Sequence, residues 1–447
     1  MGIYLVIALR NLLQAKRRTF FLGGALTMVA ALLVMLLSLA QGLTDNMVHY
    51  ATTLASGHVN IGGFYKLSPG DVAPLILDAP KLRQLVKEEV PEAVAVLDRN
   101  RAWAKLVSES GAMWVSPTGI EPSEEGQLLA ALELSPERAY AKDGGDATPG
   151  DVSRVGQPGT IQLFASQAKK LEVGVGDQIT VVAETTRGAT NSVELTVAAI
   201  TEDMGMMSMW TAFVNKRMVH ELYATAPETS GAVMIFLQDI AQTDAVLARL
   251  QKVLPEKGYT VLEHKSEPFW QKLDQLPHED WTGARLDLTT WEDESSFLKW
   301  VITAFNGVSF FLVGVLLLII VIGIMNTMFM SVRERTGEVG TLRAIGMGRG
   351  RVLGMFLTEA LILGLAASTL GGVLGGVLAL SLDAAAISVP SDAARMVLLS
   401  DVIHLAATPG QVIAAVIVFT GVTALSALYP AFRAARMRPV TAIHHVS

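Results

Sequence analysis

Four stretches without a charged residue decide what this chain can fold into: residues 19–44, 300–332, 360–382 and 402–432, which are 26, 33, 23 and 31 residues long. A helix needs about 20 apolar residues to cross the hydrocarbon of a bilayer. Each stretch is therefore long enough to span. Ser38-Leu39-Ala40 imitates the cleavage site of a secretory leader, but the apolar run before it exceeds the roughly 7–15 residues of a leader's core. A retained helix is expected. Only 17% of the 447 residues are charged, below the ~25% of soluble domains, which agrees with a membrane protein carrying a large aqueous part. No cysteine is present, so disulfides, thiolate metal sites and cysteine nucleophiles are excluded. A net charge of −7 argues against nucleic acid as a partner.

Lysine and arginine orient the spans. Arg10, Lys16, Arg17 and Arg18 precede the first. Arg333, Arg335, Arg343, Arg349 and Arg351 lie between the second and third, and Arg433, Arg436 and Arg438 follow the fourth. Those twelve basic residues face only Glu334 and Glu338, whereas residues 44–300 hold 22 Lys and Arg against 36 Asp and Glu, a net of −14. Four crossings place every basic cluster on one side. Both termini are expected in the cytoplasm, with the acidic segment across the membrane.

That segment is too long for a loop and is expected to fold. Its two ends look alike. Residues 56–64 (SGHVNIGGF) read as a strand, 80–90 as a helix and 94–97 as a strand; 232–237, 241–254 and 259–262 repeat the order. The helix-to-strand joints also match, with Pro91-Glu92 ahead of Val94-Ala95-Val96 and Pro255-Glu256 ahead of Tyr259-Thr260-Val261. Two βαβ units would build one small α+β domain, unless the likeness is a coincidence between ordinary units. Between them lies a β-rich insert, with a turn and alternating strand over 171–182, a second strand over 192–200 and a surface loop over 142–151. Four of the seven tryptophans, Trp270, Trp281, Trp291 and Trp300, crowd the approach to the second span. Trp300 reads as an interfacial anchor. The other three read as core in preference to a docking surface.

The chain has no G-x-x-x-x-G-K-[ST] phosphate loop, no H-E-x-x-H and no G-x-S-x-G. No catalytic residue, metal ligand or resident cofactor is expected, and the His444-His445 pair reads as solvated. Met204, Met206, Met207 and Met209, with Trp210, form the sharpest odd feature. Thioethers pack into gaps, make adaptable partner or cargo contacts, or bind Cu(I); packing is favoured. Gly371, Gly372, Gly375 and Gly376 make two overlapping small-xxx-small patterns for close helix packing, within the chain or with another subunit. Glu359, about two turns into the third apolar region, is either a proton site or, preferably, a carboxylate that snorkels or pairs with an arginine.

Residues 331–346, SVRERTGEVGTLRAIG, are the most informative stretch. Val332, Val339, Leu342 and Ile345 recur at helical spacing, and Glu334 and Glu338 stand one turn apart on another face. Such an amphipathic helix suits a cytoplasmic partner or the lipid headgroups. Four features together resemble the MacB/FtsX-type ABC transporter permeases, the type VII or mechanotransmission class. They are Leu9-Arg10-Asn11-Leu12 followed by Lys16-Arg17-Arg18-Thr19, the 333–346 segment, the end with Tyr429-Pro430-Ala431, Ala434-Ala435-Arg436 and Pro439-Val440, and the layout of one span, a large domain and three spans. The layout and Ser56–Ile61 look most like the lipoprotein-release (LolC/LolE-like) branch.

The resemblance implies an α-helical membrane protein of the bacterial inner membrane, with four transmembrane helices and a large α+β periplasmic domain of porter-like βαβ repeats and a β-rich, sabre-like insert. The expected order is a cytoplasmic amphipathic segment (1–18), span one (19–44) and the periplasmic domain (45–299). That domain has porter halves at about 50–100 and 230–265 and its insert at about 101–229. Span two (300–332), a coupling helix (333–351), span three (353–382), a periplasmic loop (383–401), span four (402–432) and a cytoplasmic tail (433–447) complete it. A separate cytoplasmic ABC ATPase dimer would bind ATP and Mg and dock on the coupling helix, where Glu334, Arg335, Glu338, Gly340, Arg343 and Gly346 contact or shape the joint. Further partners are a second permease copy or related permease, membrane lipid, and a periplasmic carrier or adaptor. The implied work is release of lipoproteins or similar amphiphilic cargo. The alternatives are MacB-like export through an adaptor and FtsX-like signalling to cell-wall hydrolases.

Overall fold

The computed structural model describes residues 7, 8, 10, 11, 14, 16–68, 71–185, 188–389, 391–400 and 402–437. Most of the expected amphipathic segment's residues 1–15, and the tail with Pro439, Val440, His444 and His445, lie outside them. The chain divides into a helical unit (Met1–Asp45, Ile302–Val389, Asp401–Ser447) and an α+β unit (Asn46–Val301, Pro390–Ser400).

Four helices among the described residues are long and apolar enough to cross a membrane: α1 (Lys16–Leu54), α9 (Ser296–Glu334), α11 (Arg349–Ala384) and α13 (Pro409–Ala435). Their bounds correct the charge-free stretches. Asp45 interrupts the apolar run of α1 but not the helix, which continues to Leu54 and buries Met47, Ala51 and Leu54 at helical spacing. Residues 402–408 are apolar but not helical. Val402 instead bridges Ser388, and α13 starts at Pro409, where Thr408 and Gln411 cap each other reciprocally. A residue before proline is turned away from the helical region, and proline suits the first helical position. The coupling segment shortens to α10 (Thr336–Ala344), bounded by non-helical Arg335 (φ −107°) and by Gly346 at φ +103°. The 383–401 loop contains a further helix, α12 (Asp392–Leu398), which belongs to the α+β unit.

In the α+β unit, β1 (Val59–Ser68), α2 (Ala79–Glu89) and β3 (Ala93–Arg101) form one βαβ unit, with the short β2 (Asp71–Ala73) on its edge. The second is β10 (Ala232–Leu237), α6 (Thr243–Glu256) and β11 (Gly283–Thr290). The strand order β11-β1-β10-β3 is antiparallel throughout, so the two units interleave as in ferredoxin-like folds. Leu82 and Val86 of α2 and Val246, Leu250 and Leu254 of α6 close the core with Val59, Ile61, Val233 and Ile235. Residues 259–262 supply only the bridge Val261 to Leu286; the fourth strand is β11. Its Leu286 and Leu288 face the helices, and between them Asp287 is a buried carboxylate 2.8 Å from the buried Lys272 of α7 (Phe269–Gln275).

The insert holds β4 (Ala104–Val107), β5 (Ala112–Ile120), α3 (Gly126–Ala131), β6 (Thr160–Phe164), α4 (Ala165–Leu171), β7 (Gln178–Glu184), β8 (Thr190–Thr201), β9 (Thr211–Asn215) and α5 (Lys216–Tyr223). Its pairings run β5-β4-β7-β8-β6-β9 and return to β5, which closes a six-stranded barrel. Closure leaves no free edge. Leu106, Val115, Ile161, Ile179, Val197 and Val214 fill the interior.

The C-terminal carbonyls of α1 meet a buried cation. Arg99 of β3, 1% exposed, donates to Thr53 O (2.9 Å) and Leu54 O (3.0 Å) and makes a bidentate pair with Glu125 at 2.6 and 2.7 Å. Nearby, His58 Nδ1 accepts the Leu237 N–H at 2.9 Å, and burial lowers the His58 pKa below its usual 6.5.

All seven tryptophans fall between Trp103 and Trp300, so their fluorescence reports this unit within the full chain. Arg99→Met leaves Glu125 buried and unpaired and is expected to destabilise the unit by about 3–5 kcal/mol, measured by denaturant titration. Arg99→Met/Glu125→Leu is expected to be milder, because no lone charge remains. The unfolded chain protonates at His58 before the folded one does. Stability should therefore fall as the pH drops below about 6.5, and His58→Asn, which keeps an acceptor near Nδ1, should reduce that slope.

Candidate coupling site

Helix α10 turns one side inward and one outward. Val339 is 1% exposed and Gly340 is buried, and Val339 packs in one cluster with Val332, Val352 and Phe356. Glu338 is exposed, as is Glu334 at the end of α9, and Arg343 is half-buried. Gly346 N–H donates to Arg343 O and Met347 N–H to Leu342 O at 2.9 Å, a turn that its positive φ makes possible. Arg335 faces the opposite way from the acidic pair. Its Nη1 lies 3.1 Å from Glu359 Oε2 on α11, with the two side chains 12% and 5% exposed, and its Nη2 donates to Asn11 O at 3.4 Å. Glu359 is thus paired with an arginine, the preferred reading of its sequence context. A space of about 20 Å³ beside it is lined by Thr19, Thr327, Ser331 and Thr423 from the other three long helices.

The membrane glycines face two neighbours in the same chain. A Cβ on Gly371 would stand 2.4 Å from Thr27 O, and one on Gly375 2.6 Å from Ala31 O, both on α1. Gly372 and Gly376 instead face Val412 and Val416 of α13.

In the α+β unit, Met204 is buried in a cluster with Leu54, Ile120, Phe164 and Phe213, and Met207 packs against it. Gly205–Met209 forms a 3-10 turn against which α12 packs. Met206 is half-buried, while Met209 and Trp210 are exposed. Among the tryptophans read as core, Trp281 is buried against Phe64 and Leu276, but Trp270 is 54% exposed, so the core reading is corrected there. The cause is the two-turn helix α7, which packs Phe269 and Leu273 and turns Trp270 outward. Sequence reasoning overlooked the exposed pair Trp103 and Trp114, whose rings stack 6.1 Å apart at 6°. They flank a tight hairpin as diagonal cross-strand neighbours, a spacing that was legible.

Residues 310–439 match the family described as FtsX-like permease C-terminal. The chain is 31% identical over 152 residues to the macrolide export ATP-binding/permease protein MacB of Nitrobacter winogradskyi, covering 34% of this chain and 20% of that protein. It is 42% identical over 125 residues to the pyoverdine export ATP-binding/permease protein PvdT of Pseudomonas syringae pv. syringae, 27% of this chain and 16% of that one. It therefore spans about a fifth or less of the length of these relatives. Among solved structures it is similar to the extracellular domain of the transporter YknZ from Gram-positive bacteria (11% identity, TM-score 0.29, 44% of this chain, 95% of that). It is also similar to the periplasmic region of MacB from Actinobacillus actinomycetemcomitans (15%, TM-score 0.29, 45% and 86%). Residues 310–439 thus carry an FtsX-like permease C-terminal domain, in a chain with four helices long and apolar enough to cross a membrane.

Gly371→Val forces the α1 and α11 backbones apart and is expected to destabilise the bundle by about 1–3 kcal/mol, seen as an earlier thermal transition in detergent. Gly372→Val meets only the side chains of Val412 and Val416, at 3.1 and 3.3 Å, and should be milder.

Proposed function

We propose that this chain is the membrane subunit of a transporter whose separate cytoplasmic ATPase dimer docks on α10. The observation that carries the reading is a nine-residue helix set between two long apolar helices, with Glu338 exposed on it and Glu334 exposed at the end of the helix before it. An inward apolar side and an outward charged side suit a helix held by the bundle and read by a protein partner. Exposed carboxylates offer charge-assisted bonds to arginine or lysine. Every basic cluster flanks this same side of the spans, which supports an inner-membrane chain with α10 and both termini in the cytoplasm.

In this reading ATP and Mg bind to the partner, and its cycle moves the α+β unit on the far side, releasing lipoproteins or similar amphiphilic cargo. A second permease completes the assembly. A second reading is export through a periplasmic adaptor, favoured by the names of the relatives MacB and PvdT.

Glu338→Lys is expected to weaken retention of the ATPase in mild detergent and to uncouple hydrolysis, while the chain stays folded and inserted. Full retention and full activity would sink the proposed contact. Mass spectrometry of the native complex separates the two readings: a related permease with bound lipoprotein favours release, and an adaptor favours export.

A further inference from the structure

We propose that Arg335 and Glu359 form the latch through which α10 moves α11, so that Arg335 acts as a positioning residue through Glu359 and not by touching the ATPase. The inference rests on the reading of this chain as an ATPase-driven permease. Arg335 is the N-cap of α10, and Glu359 sits ten residues into α11, about 15 Å along its axis. The 3.1 Å contact between them is nearly closed to solvent. In apolar surroundings such a pair is neither screened nor easily separated, because each charge left alone is costly. The N-cap residue of α10 is therefore bound to follow the third long helix.

A second tie acts in the same direction. Val339, one turn on, packs with Val352 and Phe356 of α11. Glu338, on the exposed side of α10, takes no part in either contact. Besides the short connection after Ala344, a push on Glu338 would thus reach α11 through this ion pair and this apolar contact. The carboxylate is poorly placed for handling cargo: the space beside it is about 20 Å³, enough for roughly one water. Its fixed guanidinium partner favours a mechanical role over proton exchange.

The test uses the full chain with its ATPase in lipid nanodiscs, spin-labelled at Leu370→Cys on α11 and Leu318→Cys on α9, both exposed positions. The α9–α11 distance is measured without nucleotide and with ATP plus vanadate. A nucleotide-dependent shift is expected in the otherwise unmodified chain. Glu359→Gln and Arg335→Gln should each abolish it while the ATPase still co-purifies at the unmodified level, and R335E/E359R should restore it. The latch is overturned if the shift survives both single substitutions, or if none occurs with the ATPase bound. It is also overturned if Arg335→Gln releases the ATPase while Glu359→Gln keeps the shift. Failure of the unmodified chain to hold any ATPase would instead overturn the permease reading itself.

Discussion

A helix that ends inside a folded domain leaves carbonyls that must find donors, and the α+β unit is organised around that need. Arg99 meets it at the end of α1, with Glu125 balancing the buried charge. The same strand, β3, carries the junction of the two substructures. Asn100 and Arg101 pair with Gly119 and Thr118 of the barrel, while Arg99 O accepts from Gly231 N–H and Ser230 Oγ beside β10. Arg101, on the same strand face as Arg99, stacks 3.8 Å over the Phe269 ring and lies 3.6 Å from Glu294 of α8 (Trp291–Glu294), the turn just ahead of α9. Three consecutive residues thus hold the end of one long helix, the approach to another and both β substructures.

The parts of this fold legible in the sequence are those written in local patterns. Charge-free runs located all four long helices but only α9 nearly to both ends, and the likeness of the Pro91 and Pro255 joints marked both βαβ halves while misplacing the last strand. Barrel closure was not legible, because the parallel pairing of β5 with β9 joins residues almost a hundred positions apart. β11 carries a legible alternation, with Leu286 and Leu288 set between Arg285, Asp287 and Thr289; what local pattern hides is that Asp287 is buried against Lys272, fifteen residues earlier. Local pattern also overreached. Residues 402–408 were apolar enough to count as helix, yet the Thr408-Pro409 start decides otherwise.

The coupling segment shows the same division at the scale of single residues. Helical spacing put Val332, Val339, Leu342 and Ile345 on one face. The structure buries Val332 and Val339 and half-buries Leu342, but Ile345, past the end of α10, is 80% exposed, while Glu338 points outward as expected. Arg335 could not be assigned that way. It lies just before α10, where its non-helical backbone releases it from the 3.6-residue repeat, and its partner is 24 positions away. Arg99 is a parallel case, since nothing near it in sequence announces a helix end 45 residues earlier.

The helical unit must be held together without the force that assembles the α+β unit. Lipid is as apolar as leucine, so helices gain little by hiding leucines from it and associate through close packing and polar contacts. The exposure pattern follows this. Leu370, Val373, Leu374 and Val377 of α11 are exposed, while Gly371 and Gly375 bring its backbone against α1. Close packing of this kind resists separation but depends on contact at every turn, and it says little about rotation or sliding. An ion pair in the same medium is different, because its strength rises as the dielectric falls and its geometry is fixed by the guanidinium fork. One such pair, set where α10 begins, ties the short helix to the bundle at a single defined point.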